Sequence, residues 1–226
     1  MDNLVPAASA AEGVTPAADA HLAPSLRTPL RPDAFRLTDE EKIDTIAGHF
    51  REIMDVLGLD LTDDSLSGTP KRVAKMYVQE WFRGLNPEHR PDVKLFENRY
   101  QYENMLVERD ITLFSCCEHH FVPIIGKAHV AYLPGEHVVG LSKLNRVVQY
   151  YARRPQVQER LTRQIAEELK QALRTDNVAV LIEADHLCVM SRGVNDTSSG
   201  TLTAEYGGVF KTDSGLRQEF LRLIGK

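Results

Sequence analysis

Residues 178–189 read Val178-Ala179-Val180-Leu181-Ile182-Glu183-Ala184-Asp185-His186-Leu187-Cys188-Val189. A run of this composition and length predicts a strand. Side chains alternate along a strand, so Ala184, His186 and Cys188 are expected on one face. A rise of about 3.3 Å per residue separates the α-carbons of His186 and Cys188 by about 7 Å. The run therefore carries both a sheet element and two residues able to bind a metal.

Upstream of this strand the period changes. Val157, Leu161, Ile165 and Leu169 recur at i, i+4 spacing, predicting a helix from Pro155 to about Leu173. Ser142 is the right residue type to cap a preceding helix that runs to about Arg153. Before that pair, Met105–Phe114 and Val122–Leu133 read as strands joined by Cys117-Glu118-His119-His120. Downstream come a strand over Thr201–Phe210 and a closing helix from about Gly215. Strands flanking two consecutive helices predict an α+β domain, with the helices packed on one face of an antiparallel sheet.

The N-terminal third is helical by its own signals. Thr38-Asp39-Glu40-Glu41 has the form of a capping box, and Ile43, Ile46, Phe50, Ile53, Met54 and Leu57 follow at helical spacing up to Gly58. Thr69-Pro70 reads as an N-cap with proline at the first helical position, opening a helix towards Phe82 and Gly84. Residues 1–36 are rich in Ala and Pro and lack periodicity, which predicts a disordered tail. The rest, 37–226, reads as a single domain with N-terminal helices over 38–84.

Composition narrows the function. The chain has 226 residues and a net charge of −5, so nothing in its overall electrostatics favours nucleic acid. No apolar run reaches the roughly 18 to 20 residues of a membrane span, and no secretory signal opens the chain. Three cysteines, two of them adjacent, do not make a disulfide framework. They point to metal binding or reactive thiols in a reducing, cytoplasmic setting.

Cys117, His120 and Cys188 together make a three-ligand zinc set. A structural zinc normally closes its tetrahedron with four protein ligands, so three leave a position for water and imply catalysis. His119 and His186 adjoin the ligands without being needed to hold the ion. Imidazoles beside a Lewis acid suit proton transfer near neutral pH. Cys116 is expected to point away from the site and serve as filler. Lys143 and Arg146, three apart on one helical face, are candidate anion binders.

Five motifs in order resemble GTP cyclohydrolase I. They are Gly68-Thr69-Pro70-Lys71-Arg72-Val73-Ala74, Cys117-Glu118-His119-His120-Phe121, Gly140-Leu141-Ser142-Lys143-Leu144-Asn145-Arg146, Arg154-Pro155-Gln156-Val157-Gln158-Glu159-Arg160 and His186-Leu187-Cys188-Val189-Met190-Ser191-Arg192-Gly193. The resemblance covers about residues 64–210 and implies conversion of GTP and water to dihydroneopterin triphosphate and formate. It implies one zinc per subunit on Cys117, His120 and Cys188, with His119 and His186 transferring protons. By the same resemblance Glu159 recognises guanine, Gln158 lies near the sugar, and Ser142 acts on the sugar during rearrangement. Lys143, Arg146, Arg192 and Arg72, with Lys75 a weaker candidate, are implied for the triphosphate.

The family further implies the tunnelling fold over about residues 98–226, in which subunits build a barrel, usually as a homodecamer with active sites between chains. Two alternatives are a tunnelling-fold nitrile reductase of queuosine synthesis and a zinc-stabilised module without catalysis. Retention of both Cys/His segments weighs against the first, and the missing fourth ligand against the second.

Overall fold

The computed structural model describes residues 25–226. In chain order the N-terminal part contains α1 (Asp39–Val56), α2 (Asp64–Ser67) and α3 (Thr69–Lys75). The middle contains β1 (Leu95–Glu97), β2 (Leu106–Cys117), β3 (Pro123–Tyr132), β4 (His137–Val139), α4 (Leu141–Ala152), β5 (Pro155–Gln156) and α5 (Gln158–Leu173). The C-terminal part contains β6 (Val178–His186), α6 (Leu187–Met190), β7 (Thr201–Tyr206), α7 (Val209–Thr212) and α8 (Ser214–Leu223).

Five strands form one sheet in the order β5-β2-β3-β6-β7, and β1 pairs with β4 apart from it. Long neighbours are antiparallel; only the two-residue β5 runs parallel to its partner β2. The expected α+β layering is present. Leu144, Val147 and Val148 of α4 and Leu161, Ile165 and Leu169 of α5 pack on Val130, Tyr132, Val180 and Ile182. These side chains are 0% exposed, so the sheet face beneath α4 and α5 is the main core. A smaller cluster occupies the opposite face, where Phe210 and Phe220 cover Ala131, Ala179 and Leu181. The alternation of β6 thus serves two cores, which is why its apolar run is unbroken.

Several boundaries differ from the sequence reading. The strand expected over 178–189 ends at His186, and Cys188 sits on the helical turn α6. Pro155 does not start a helix; it bridges to Cys116, and α5 begins at Gln158. Gly140, not Ser142, is the N-cap of α4. Gly68 rather than Thr69 precedes α3, whose continuation over Met76–Trp81 is π-helical. The last expected strand stops at Tyr206. The Thr38 capping box is present as expected. Along α1, Ile43 and Met54 are buried whereas Ile53 and Leu57 stand 51% and 71% exposed, so the apolar stripe is only partly covered.

The tail expected over 1–36 lies outside the described residues as far as residue 24. Within the described part of that segment, Ser25 and Leu26 are bonded to α5, and Leu30, Ala34 and Phe35 lie beside α1. Arg160 donates from Nε to the Ser25 carbonyl at 2.7 Å, and Gln164 donates to the Leu26 carbonyl at 3.0 Å. Backbone acceptors carry these bonds, which is why side-chain periodicity gave no sign of them. No helix among the described residues is long and apolar enough to cross a membrane.

His129 is buried on β3. Its Nδ1 accepts from the Asp110 backbone N–H at 3.3 Å, at the bulge of β2, and its Nε2 lies 3.5 Å from the Glu183 carboxylate. Burial holds this imidazole below its ordinary value, while Glu183 and Asp110 pull the other way and Lys226 adds to the lowering. The unfolded chain therefore takes up the proton at higher pH than the folded one. Stability is fully present above pH 6.5 and declines as pH falls through that value towards the lower folded pKa. The denaturation midpoint is expected to fall between about pH 7.5 and about pH 5.5 by less in His129→Asn than in the parent at equal metal content. Urea titrations at the two pH values check this.

Candidate metal centre and active site

The Cys117-Glu118-His119-His120 run is bent into a tight turn at the β2–β3 junction. Cys117 is the last residue of β2, and the Phe121 N–H returns to the Cys117 carbonyl at 2.9 Å. The Cys117 N–H bonds the Val122 carbonyl at 2.8 Å, which closes the loop. Phe121 takes a left-handed φ of 54° to make this turn. Its ring packs edge-on against Phe82 at 5.3 Å between centroids, and Tyr77 stacks on Phe82 at 5.4 Å. The strain of a non-glycine residue at positive φ is offset by that aromatic anchoring.

Across the sheet, β3 carries the turn beside the end of β6, with Ile124 opposite His186. The helical turn α6 then brings Cys188 back over the loop. One ligand atom each from Cys117, His120 and Cys188 lies within 4.8 Å of the other two. Cys117 Sγ is 3.9 Å from His120 Nδ1. Tetrahedral zinc with Zn–S near 2.3 Å and Zn–N near 2.0 Å needs donors about 3.5 to 3.8 Å apart. The three residues fit that ion in donor type, and the Cys117–His120 spacing lies close to what it needs. Burial, reinforced by the neighbouring Cys117 thiol, raises Cys188 above the ordinary thiol range. A divalent cation reverses that balance by favouring thiolate.

Cys116 behaves differently. It is 1% exposed, and burial with a contribution from Cys117 pushes it up to about 12. It stays a thiol and lies outside the ligand cluster, as expected for filler.

Both spare imidazoles flank the cluster. His119 Nδ1 is 3.9 Å from Cys117 Sγ, and its Nε2 is 3.9 Å from the Glu118 carboxylate. His186 Nε2 is 2.7 Å from Gln158 Oε1. Burial lowers the His186 pKa, against the opposing charges of Glu159 and Asp185. Glu159 is exposed on the first turn of α5 and lines a cavity of about 510 Å³ together with His119, Arg163 and Leu26. The β5 bridge places it there: Gln156 pairs with Cys117, and the Glu118 N–H bonds the Gln156 carbonyl at 3.0 Å.

Arg192 approaches the cluster, with NH1 2.6 Å from His120 Nε2. A guanidinium only donates, so in this contact Nε2 is an acceptor. A metal on Nδ1 would require the hydrogen on Nε2, so the contact and metal binding through Nδ1 exclude each other.

The remaining residues implied for substrate are not gathered here. Arg146 lines a separate cavity of about 490 Å³ with Arg83, His89 and Gln149. Ser142 is exposed at the start of α4, and Arg72 bonds Thr69 and the Ser65 carbonyl. Among the described residues the side chains of Ser142, Lys143, Arg146 and Lys75 make no hydrogen bond or ion pair. Gln158, expected beside the sugar, is 2% exposed and turned into the protein. Its amide donates to the carbonyls of Ile182 and Thr201.

One contact was invisible in the sequence. Arg160 grips Glu118 with both guanidinium nitrogens, NH1 on Oε2 and NH2 on Oε1 at 3.1 Å. The Arg160 side chain is 4% exposed and the Glu118 side chain 21%. This bidentate pair fastens the Cys/His turn to α5. No spacing rule links residues so far apart; the only sign was that both lie inside motifs already singled out.

Sequence comparison decides the family. The profile of GTP cyclohydrolase I matches residues 46–225. The chain belongs to the GTP cyclohydrolase I family. A relative named GTP cyclohydrolase 1 from Flavobacterium johnsoniae is 56% identical over 206 residues, covering 91% of this chain and 92% of that protein. A relative of the same name from Salmonella gallinarum is 54% identical over 206 residues, covering 91% and 93%. Among solved structures, the apo form of the archaeosine synthase QueF-Like is similar at 18% identity with a TM-score of 0.38, over 47% of this chain and 94% of that one. A likeness that slight carries no weight here. Family membership sets aside the nitrile reductase and the non-catalytic module as readings of the chain.

Metal content is expected to separate the three thiols. Cys117→Ser and Cys188→Ser should lose bound zinc, while Cys116→Ser keeps it; elemental analysis of purified protein checks this. Zinc retained in both ligand variants would mean that other residues hold the ion.

Proposed function

We propose that the chain is a zinc-dependent hydrolase that converts GTP and water to 7,8-dihydroneopterin 3′-triphosphate and formate, the opening step of pterin and tetrahydrofolate synthesis. The observation that carries this reading is the convergence of Cys117, His120 and Cys188, with His119 and His186 beside them, in a chain of this family. A zinc ion held by the three ligands would supply the Lewis acidity that draws a water towards hydroxide near neutral pH.

The other roles belong to side chains. Purine C8 is a poor electrophile until N7 is protonated, and we assign exchange of that proton to His119 and His186. Glu159 offers a carboxylate in the cavity shared with His119, where it suits the N1–H and 2-amino donors of guanine. Arg192 reaches the cluster from α6's C-terminal side, and its guanidinium suits an anion there. Ser142 serves the sugar during rearrangement and ring closure.

Lys143, Arg146, Arg72 and Lys75 are assigned to the triphosphate, and their positions favour delivery from a neighbouring copy. Lys143, Arg146 and Lys75 are uncommitted among the described residues, and none of the four lines the cavity containing His119. Among the described residues, the outer edge of β7 and most of that of β2 have no strand partner, which suits ring closure between subunits. A homodecamer with one zinc per subunit and intersubunit active sites is the assembly we assign, in the cytoplasm.

Incubation with GTP should yield stoichiometric formate and, after oxidation, pterin fluorescence. His119→Ala is expected to keep its zinc while formate release falls by about 100-fold or more. Release at the parent rate would remove His119 from the mechanism.

A further inference from the structure

Gln158 is the first residue of α5, yet its side chain turns inward and is 2% exposed. Its Nε2 lies 3.2 Å from the Ile182 carbonyl, 3.0 Å from the Thr201 carbonyl and 3.1 Å from Thr203 Oγ1. Backbone carbonyls only accept. The amide NH₂ must therefore face them, because a flipped amide would set its oxygen against two carbonyl oxygens.

The surrounding hydroxyls agree with that orientation. Thr162 donates to the Gln158 carbonyl at 2.8 Å, which uses its one hydrogen. In the 2.6 Å contact between Thr162 and Thr203 the donor is then Thr203. Thr203 is left with lone pairs to accept from the Gln158 amide. Every proton in the network has a place, and the network joins the start of α5 to β6 and β7.

Oε1 of Gln158 is consequently the atom that faces His186, 2.7 Å from its Nε2. An amide oxygen accepts, so Nε2 must carry a hydrogen. In a neutral imidazole that leaves the lone pair on Nδ1. We propose that Gln158 is a positioning residue that locks His186 as the Nε2–H tautomer, leaving Nδ1 as the nitrogen through which His186 exchanges a proton with the substrate. The proposal rests on the proton-transfer role given to His186 above, and it replaces contact with the sugar as the duty of Gln158. A glutamine that turned to a sugar would give up all three of these bonds, to the Ile182 and Thr201 carbonyls and to the Thr203 hydroxyl, together with the one to His186.

The tautomer is measurable in the parent enzyme. Magic-angle-spinning NMR of ¹⁵N-histidine-labelled, zinc-loaded protein at about pH 8 keeps the free rings neutral. The His186 signals are assigned by their loss in His186→Ala. Nε2 is expected in the protonated, pyrrole-like range and Nδ1 in the unprotonated, pyridine-like range; the reverse assignment overturns the proposal. Gln158→Met, similar in volume but without the amide, should populate both tautomers. Its kcat for formate release should fall about tenfold or more, with KM for GTP changing less than about twofold. A raised KM at constant kcat would instead mark a sugar contact and overturn it. If Gln158→Met does not fold, the parent spectrum still decides the tautomer. Formate release by His186→Ala at the parent rate would remove His186 from the chemistry and Gln158's catalytic purpose with it. The spectrum tests the pairing of the two residues whatever that rate proves to be.

Discussion

Two thiol sulfurs and an imidazole nitrogen, held within 4.8 Å of one another, are the constraint around which the active region is built. Bringing such donors together by chain geometry alone is unfavourable, because thiols are desolvated and must surrender protons before they can bind an ion. The fold meets that cost with rigid supports on each side. Cys117 ends a twelve-residue strand, His120 sits in a turn anchored by Phe121, and Cys188 rides a helical turn at the end of β6. The register that sets Ile124 opposite His186 aligns the two halves.

The start of α5 is the second organising point. Gln158, Glu159 and Arg160 are consecutive, and successive helical side chains point about 100° apart. Gln158 turns into the protein towards His186, Glu159 points out into the cavity, and Arg160 turns back to grip Glu118. Three adjacent residues therefore reach His186, the cavity shared with His119 and the Cys/His turn. The two-residue β5 bridge makes this possible, because it fixes the distance between Cys117 and the helix. A helix starting at Pro155, as periodicity predicts, would shift these directions by most of a turn.

The N-terminal segment joins the same assembly. Ser25 and Leu26 border the cavity shared by His119 and Glu159, and Arg160 and Gln164 hold them through backbone carbonyls. Arg160 thus touches both the Cys/His turn and a stretch that composition alone consigned to a tail. The cations on α3 and α4 do not line the cavity shared by His119 and Glu159.

Local chemistry was legible from the chain itself. The Cys and His types and their spacing picked out the cluster that could hold a metal, the Thr38 cap located α1, and the stripe Leu161, Ile165 and Leu169 named the buried face of α5. These depend on neighbours in sequence, where residue type and period carry the information. Tertiary structure decided what depends on distant partners: that Cys188 leaves its strand, that Arg160 pairs with Glu118, and that Gln158 faces His186 instead of solvent. Hydrogen bonds between remote side chains and backbone carbonyls leave no periodic trace, because a carbonyl is present at every residue and only folding selects which one is met.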